Sequence, residues 1–294
     1  MKKYMTSDDL IEYLIKKGVT ISNKSRFKNI IKKYSYYSII NTYKNVFKDD
    51  DGVYVKNVKF EEIYSLYLFD KELRILLLKH LLNFEMIMKT FISEQLSEKY
   101  GIYKYLKSKN FDKSIDSSVI NSDIKQFENE IKKQYGKHNA ITHYSDKYQF
   151  IPPYVLMKVL TYGEISKFYS IMKQEDRQEI SKRFKMSDKS LKQFLKVATL
   201  VRNICAHNER LFDFNSKFII SFKGINININ KNDSTNLYII IKMLKYVLTK
   251  EEYEELEKDI YEQISHLRKN IKSISIDKIL DKMGFSDLML NNIN

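Results

Sequence analysis

LYLFDKELRILLLKHLLNFEMIMKTFISEQL, residues Leu66–Leu96, is the stretch whose reading decides the fold. Apolar side chains cover much of its circumference, and a helix apolar on most sides belongs in the middle of a protein. With its flanks, the signal predicts one long core helix from about Phe60 to Tyr100. The rest of the chain must then supply the elements that cover it. Glu85 sits in its most apolar part, so it is either buried against an arginine or paired with Lys89 one turn on.

Composition agrees with helices as the covering elements. Among 294 residues there are only 7 glycines and 2 prolines, too few for the turns of a β-sandwich or the phosphate loops of an α/β nucleotide-binding fold. Hydrophobic residues make up 43% and charged ones 30%, which describes a globular protein rather than a disordered one. The expected class is therefore mainly all-α. A single cysteine, Cys205, rules out an intrachain disulfide and four-cysteine zinc sites. The opening MKKYMTSDDLIEYLIKKG has no apolar core of a signal peptide, and no run reaches the ~18 apolar residues of a membrane span. The expected compartment is cytoplasmic, with no membrane contact.

Outward from the core helix, residues 1–52 read as a small helical unit. SDDLIEYLIKKG starts on Ser or Asp and stops at Gly18, a second helix runs over Lys24–Lys33, and the aromatic YSYYSIINTYKNVF ends in the acidic turn KDDDG. VYVKNVKF, from Val53, is either a short strand or an extended link. Residues 53–234 form the helical core. Helices are predicted near Asp123–Lys137 and at 154–161, 164–172, 175–184 and 188–207, the last capped by Asp188. SKFIISFKGININI, 216–229, alternates as a hairpin or a strand-like loop. Residues 235–294 form a C-terminal helical segment packed on that core, helical from Thr235 to Ser273.

The formal charge of +14 favours a polyanionic partner, since lysine and arginine that neutralise phosphates release counterions. Most of that charge is lysine, and a bias to Lys, Asn, Ile and Tyr also arises from AT-rich coding. Arginines are scarce, and two of them fall in VRNICAHNERLFDF, Val201–Phe214. If the last core helix continues through Arg210, then Asn203, His207 and Arg210 share a face. Arg202 lies about 140° from His207 at 3.6 residues per turn, so one regular helix does not bring the two together. A long arginine reaching round, a helix ending near Ala206, or a second protomer would each do so.

The residue types suit RNA cleavage. Histidine moves protons near neutral pH, arginine grips a phosphate and stabilises charge developing on it, and asparagine holds a phosphate oxygen or orients the imidazole. That is enough for attack by a 2′-hydroxyl on its neighbouring phosphate without a metal. No HExxH or acidic metal pattern accompanies the other histidines, and no cofactor or metal is expected. The bland readings are a histidine capping helix carbonyls, Arg210 paired with Asp213, Cys205 as a buried packing residue, and Tyr36 and Tyr37 as core rather than base-stacking aromatics.

VRNICAHNERLFD resembles the signature R-N-x-C-A-H-x-x-R-L-aromatic-Asn/Asp of the Abi-like (abortive infection, AbiD/AbiF type) family. YSYYSIINTY resembles that family's NYYRLxxY stretch, with Ser35 for Asn and Ser38 for Arg. The core helix resembles its Y-x-F-D-x-x-L-R…E helix, and HYSDKY (143–148), PPYVLMKVLTYGEISKFY (152–169) and KMGFSD (282–287) follow in the family's order. Departures are Tyr154 where tryptophan is usual, Asn208 where histidine is common, and Glu164. The resemblance implies a HEPN helical bundle and a metal-independent endoribonuclease whose site is built from two R-x4–6-H motifs across a homodimer. It also implies an antiphage abortive-infection toxin, with a regulatory small non-coding RNA as a partner in some relatives. Arg202, Asn203 and His207 become the catalytic set, with Arg210 and Glu85 in support. The alternatives are an RNA-binding HEPN module that no longer cuts and sequesters or senses RNA, and a toxin–antitoxin partner acting by protein contacts alone.

Overall fold

Helix start signals place the N-terminal elements. In the computed structural model, which describes residues 4–220 and 235–285, Thr6 and Asp9 form a reciprocal capping box at the head of α1 (Ser7–Lys16), and Asn23 caps α2 (Lys24–Tyr34). A π-helical turn at Tyr37–Asn41 and a 3-10 turn at Lys44–Phe47 follow. Residues 53–59 are an extended link. They make single bridges, Lys48 with Tyr54 and Thr20 with Lys59, and no ladder.

The link delivers the chain to α3 (Phe60–Tyr100), 41 residues long. At 1.5 Å per residue it spans about 60 Å. Leu66, Leu73, Leu77, Leu81, Phe84, Met88 and Ile92 are all fully buried along it. Each such side chain contributes roughly 1.5–3 kcal/mol on burial, and truncating Phe84 to alanine costs about 3–5 kcal/mol.

After it come α4 (Ser117–Gln134), α5 (Asn139–Tyr148), α6 (Pro153–Val159), α7 (Tyr162–Ile171), α8 (Gln174–Lys182) and α9 (Asp188–Ala206). α6 and α9 pack against α3, and α7 packs against both α3 and α9. β1 (Asn215–Ser216) pairs antiparallel with β2 (Thr235–Asn236), then α10 (Leu237–Leu244), α11 (Lys250–Asn270) and α12 (Asp277–Met283) complete the described chain. α11 lies along α3. The fold is mainly all-α, as composition required.

Several expectations need correction. The helix expected near Asp123–Lys137 begins at Ser117, where the Asp116 carboxylate accepts from the Ser118 amide at 2.7 Å, and α5 lies in a stretch too polar to show a helical stripe. Ser187, not Asp188, caps α9. Of the hairpin expected over 216–229, residues 221–229 lie outside the described residues, and the described part is the two-residue ladder. No helix among the described residues is long and apolar enough to cross a membrane.

Candidate active site

The backbone after Ala206 decides where the motif's side chains point. His207 is the C-cap of α9, and Asn208 turns left-handed at φ 57°. The Asn208 amide then donates to the Cys205 carbonyl at 3.4 Å and the Glu209 amide to Ile204 at 3.1 Å. These two bonds form a Schellman close, and asparagine adopts its left-handed residue more readily than most. The helix therefore does not continue through Arg210, and the shared face expected for Asn203, His207 and Arg210 is corrected to Asn203 and His207 alone. Both are exposed at the helix end.

Arg202 reaches both Asn203 and Glu85. Its Nη1 donates to Asn203 Oδ1 at 3.4 Å, and its Nη2 stands 3.9 Å from Glu85 Oε2. Glu85 is 8% exposed, and its other oxygen takes Lys89 at 2.8 Å, so both readings of this carboxylate hold together. No hydrogen bond or ion pair joins Arg202 to His207 among the described residues.

The sequence reading missed Tyr162. It is 1% exposed, at the start of α7, with its ring edge-on to Phe84 at 6.4 Å. Its hydroxyl, Glu85 Oε2 and Arg202 Nε are three buried polar atoms without a hydrogen-bond partner. Burial, then the Glu85 charge, raises the phenol well above its ordinary value, so it stays protonated. Next to it, a Cβ on Gly163 would stand 3.7 Å from Thr199 Cγ2, which shows how closely α7 and α9 approach. An aromatic at a buried helix position reads as core in any sequence, so no pattern pointed to this hydroxyl.

The second half of the motif is an anchor. Asp70, fully buried, accepts from Tyr43 Oη at 2.6 Å, Arg74 Nη1 at 2.6 Å, and the amides of Leu211 and Phe212 at 3.1 and 2.7 Å. Arg74 also donates to the Glu209 carbonyl at 3.1 Å. Leu211 and Phe212 are fully buried, and the Phe212 ring stacks on Tyr43. Arg210 binds Asp213 at 2.8 Å and the Thr42 carbonyl at 2.7 Å, contacts that tie the loop to the N-terminal unit. The motif thus joins three distant pieces of sequence.

Cys205 is buried, and burial pushes its thiol up to about 12, which leaves it a packing residue rather than a nucleophile. Tyr36 is partly buried against the core, whereas Tyr37 is 74% exposed and corrects the expectation that both are core. No cluster of three or more His, Cys, Asp or Glu among the described residues is placed to hold a metal ion.

A family model described as Abi-like protein matches residues 29–213, a span holding Tyr43, α3, Tyr162 and the whole 202–213 motif. No curated protein and no solved structure matches the chain.

Proposed function

The chain belongs to the Abi-like protein family, whose description points to abortive infection, and from that premise we propose that it is a metal-independent HEPN-type endoribonuclease. The observation that supports this reading is the motif's division of labour. Asn203 and His207 are presented to solvent at a capped helix end, while Glu85 backs the neighbouring arginine.

The chemistry follows from those groups. His207 takes the proton of a ribose 2′-hydroxyl, the 2′-oxygen bonds to the adjacent phosphorus, and the bond to the 5′-oxygen breaks. Arg202 stabilises the charge that builds on the non-bridging oxygens. The leaving 5′-oxygen takes a proton from water, the hydroxide left behind takes back the proton held by His207, and the products carry a 2′,3′-cyclic phosphate and a 5′-hydroxyl.

Arg202 and His207 make no direct bond within one chain, so two copies related by a two-fold axis are part of this reading. Ile75, Leu82 and Met86 are exposed along one line of α3, and Leu200 is exposed one and two turns before Asn203 and His207. Large apolar side chains exposed together beside a site are a surface for association. In the cell the activity would serve as an antiphage toxin acting in the cytoplasm, with a small non-coding RNA as a restraining partner.

Incubating the protein with RNA in EDTA and mapping the ends tests the proposal. Cleavage leaving 2′,3′-cyclic phosphates is expected. A strict need for Mg²⁺, or 5′-phosphates on the downstream fragments, would overturn it. Binding without cleavage would instead favour a non-cutting RNA-binding module, a reading that the separation of Arg202 from His207 within one chain keeps open.

A further inference from the structure

Six aromatic rings meet on the surface around α5, apart from the hydrophobic core. They are Tyr103 in the loop after α3, His143, Tyr144 and Tyr148 on α5, Phe150 just beyond it, and Tyr154 on α6. Tyr103 packs on Phe150 with ring centroids 4.1 Å apart. Tyr144 meets Tyr148 at 5.3 Å and Tyr154 at 6.1 Å, and His143 stands edge-on to Tyr148 at 5.8 Å. Tyr103 is 67% exposed, and Tyr148 and Tyr154 are each 45% exposed. The rings of Tyr34, Tyr64 and Tyr67 also touch one another, but they are half-buried and pack on the core.

The fold holds the exposed rings in place. Gln149 ends α5 in the left-handed region at φ 57°, and its amide donates to the Ser145 carbonyl at 3.2 Å, so the chain turns at Phe150. The buried Tyr105 donates its hydroxyl to the Ile151 carbonyl at 2.8 Å and ties the loop of Tyr103 to that turn. The hydroxyls of Tyr144 and Tyr154 share a hydrogen bond at 3.0 Å. Side chains fixed before a ligand arrives lose little freedom on binding it. Folding alone does not account for the cluster, since large apolar groups exposed together mark a binding surface.

Charge decides the class of partner. Residues 101–111 and 131–150 carry five of the six rings, together with seven exposed lysines and one carboxylate, Asp146. Asp146 accepts from the Tyr135 hydroxyl at 2.8 Å, and Lys133 is paired with Glu130 at 3.2 Å. Lys147 Nζ lies 5.3 Å from the centre of the Tyr148 ring. Lysine is depleted where proteins bind proteins. Lysines interleaved with open aromatic faces suit a single nucleic-acid strand, whose phosphates meet the cations while its bases stack on the rings. A duplex keeps its base faces stacked inside and cannot use such a surface.

We propose that this surface is a stacking platform for the unpaired bases of an RNA strand. The inference rests on the RNA reading above and deepens it by naming the substrate class, single-stranded RNA. Tyr154 and Lys158 line one groove of about 690 Å³ with Glu85, the carboxylate beside Arg202. Glu94 and Glu98 line it too, so a strand running from the platform to the motif would turn base amino groups, not phosphates, to that wall.

The test measures binding rather than cutting. Probes are 2′-O-methyl octanucleotides, which have no 2′-hydroxyl to attack, as a single strand, as a duplex and as an abasic strand, with polyglutamate as a further arm. Fluorescence anisotropy on the full chain should show the single strand bound at least tenfold tighter than each of the others. Tyr103→Ala/Tyr148→Ala should erase that preference, and Tyr103→Phe/Tyr148→Phe should keep it. Tyr4→Ala/Tyr13→Ala, which removes exposed rings elsewhere, should keep it as well. Equal binding of the base-bearing and abasic strands by the parent overturns the platform without recourse to any variant. So does a folded Tyr103→Ala/Tyr148→Ala chain that retains the preference. If that chain instead loses self-association in light scattering while still binding RNA, the rings serve a protein contact and the platform is overturned. RNA cleavage by the parent is measured separately. Single-strand binding without cleavage supports the platform and ends the nuclease reading, and cleavage without single-strand preference does the reverse.

Discussion

Asp70 and Glu85 stand on the same helix, each beside an arginine, and the fold treats them in opposite ways. Asp70 accepts from a phenol, a guanidinium and two backbone amides, and those bonds fill its oxygens. Glu85 is nearly as buried, yet one oxygen has no hydrogen-bond partner and Arg202 stands off at 3.9 Å. A buried charge that serves only the fold must be saturated, because an unmet lone pair in a low dielectric is costly. A charge left partly unmet has capacity to act on something else. The contrast separates an anchoring half of the motif, residues 209–213, from the half that the proposed function would put to work, residues 202–207.

Breaking the working half has the largest expected consequence. His207→Ala should lower RNA cleavage by two to four orders of magnitude, up to about 5 kcal/mol, because a positioned proton carrier is lost. The ring is exposed, so the urea midpoint should stay within about 0.5 kcal/mol of the parent. A folded variant that cuts at the parental rate ends the assignment.

Breaking the anchoring half should show in stability first. Asp70→Ala leaves Arg74 buried and uncompensated, and the loss should be about 3–5 kcal/mol in denaturant unfolding. A loss under 1 kcal/mol would mean that the four bonds to Asp70 are not what holds the 209–213 loop.

Glu85→Gln sharpens the comparison. Removing a carboxylate whose burial is only partly compensated should change stability by less than about 1 kcal/mol. Cleavage should fall roughly tenfold as Arg202 loses its backing charge, about 1.4 kcal/mol of transition-state stabilisation. A destabilisation as large as that of Asp70→Ala would erase the distinction between the two carboxylates.

The smallest effect belongs to Tyr162→Phe. Its hydroxyl has no protein partner, so deleting it should leave the melting temperature at or slightly above the parent's. A clear drop in scanning calorimetry would show that the hydroxyl is bonded after all.

The sequence made the anchoring elements legible in outline and the working geometry only in part. α3 announced itself because apolar residues on most sides of a long run admit one reading, and the ends of α6 to α9 fell within two residues of expectation. α5 stayed hidden because Asn139–Tyr148 carries only one fully buried residue, Ile141, and helical periodicity needs a buried stripe. The stop after Ala206 was written in Asn208, but a left-handed asparagine looks like any polar residue until the helix is known to end there. Asp70 and Arg74 could be seen as an i, i+4 pair. Their partners at 209–212 could not, because nothing in the sequence specifies a contact with a backbone amide about 140 residues away.

That separation matters while the chain is being made. α3 is synthesised before position 101, yet the amides that complete Asp70 follow residue 210, and α11, which lies along it, ends at Asn270. During elongation the helix holds a carboxylate, a guanidinium and many apolar side chains with no finished place to bury them. Contacts that span so much chain form slowly, and an incomplete chain leaves apolar surface open to other proteins. The nascent motif at 202–207 also lacks its anchor until residues 209–212 have left the ribosome and met α3. A chain assembled in this order gains the geometry of residues 202–207 only after the segments that anchor them have been translated.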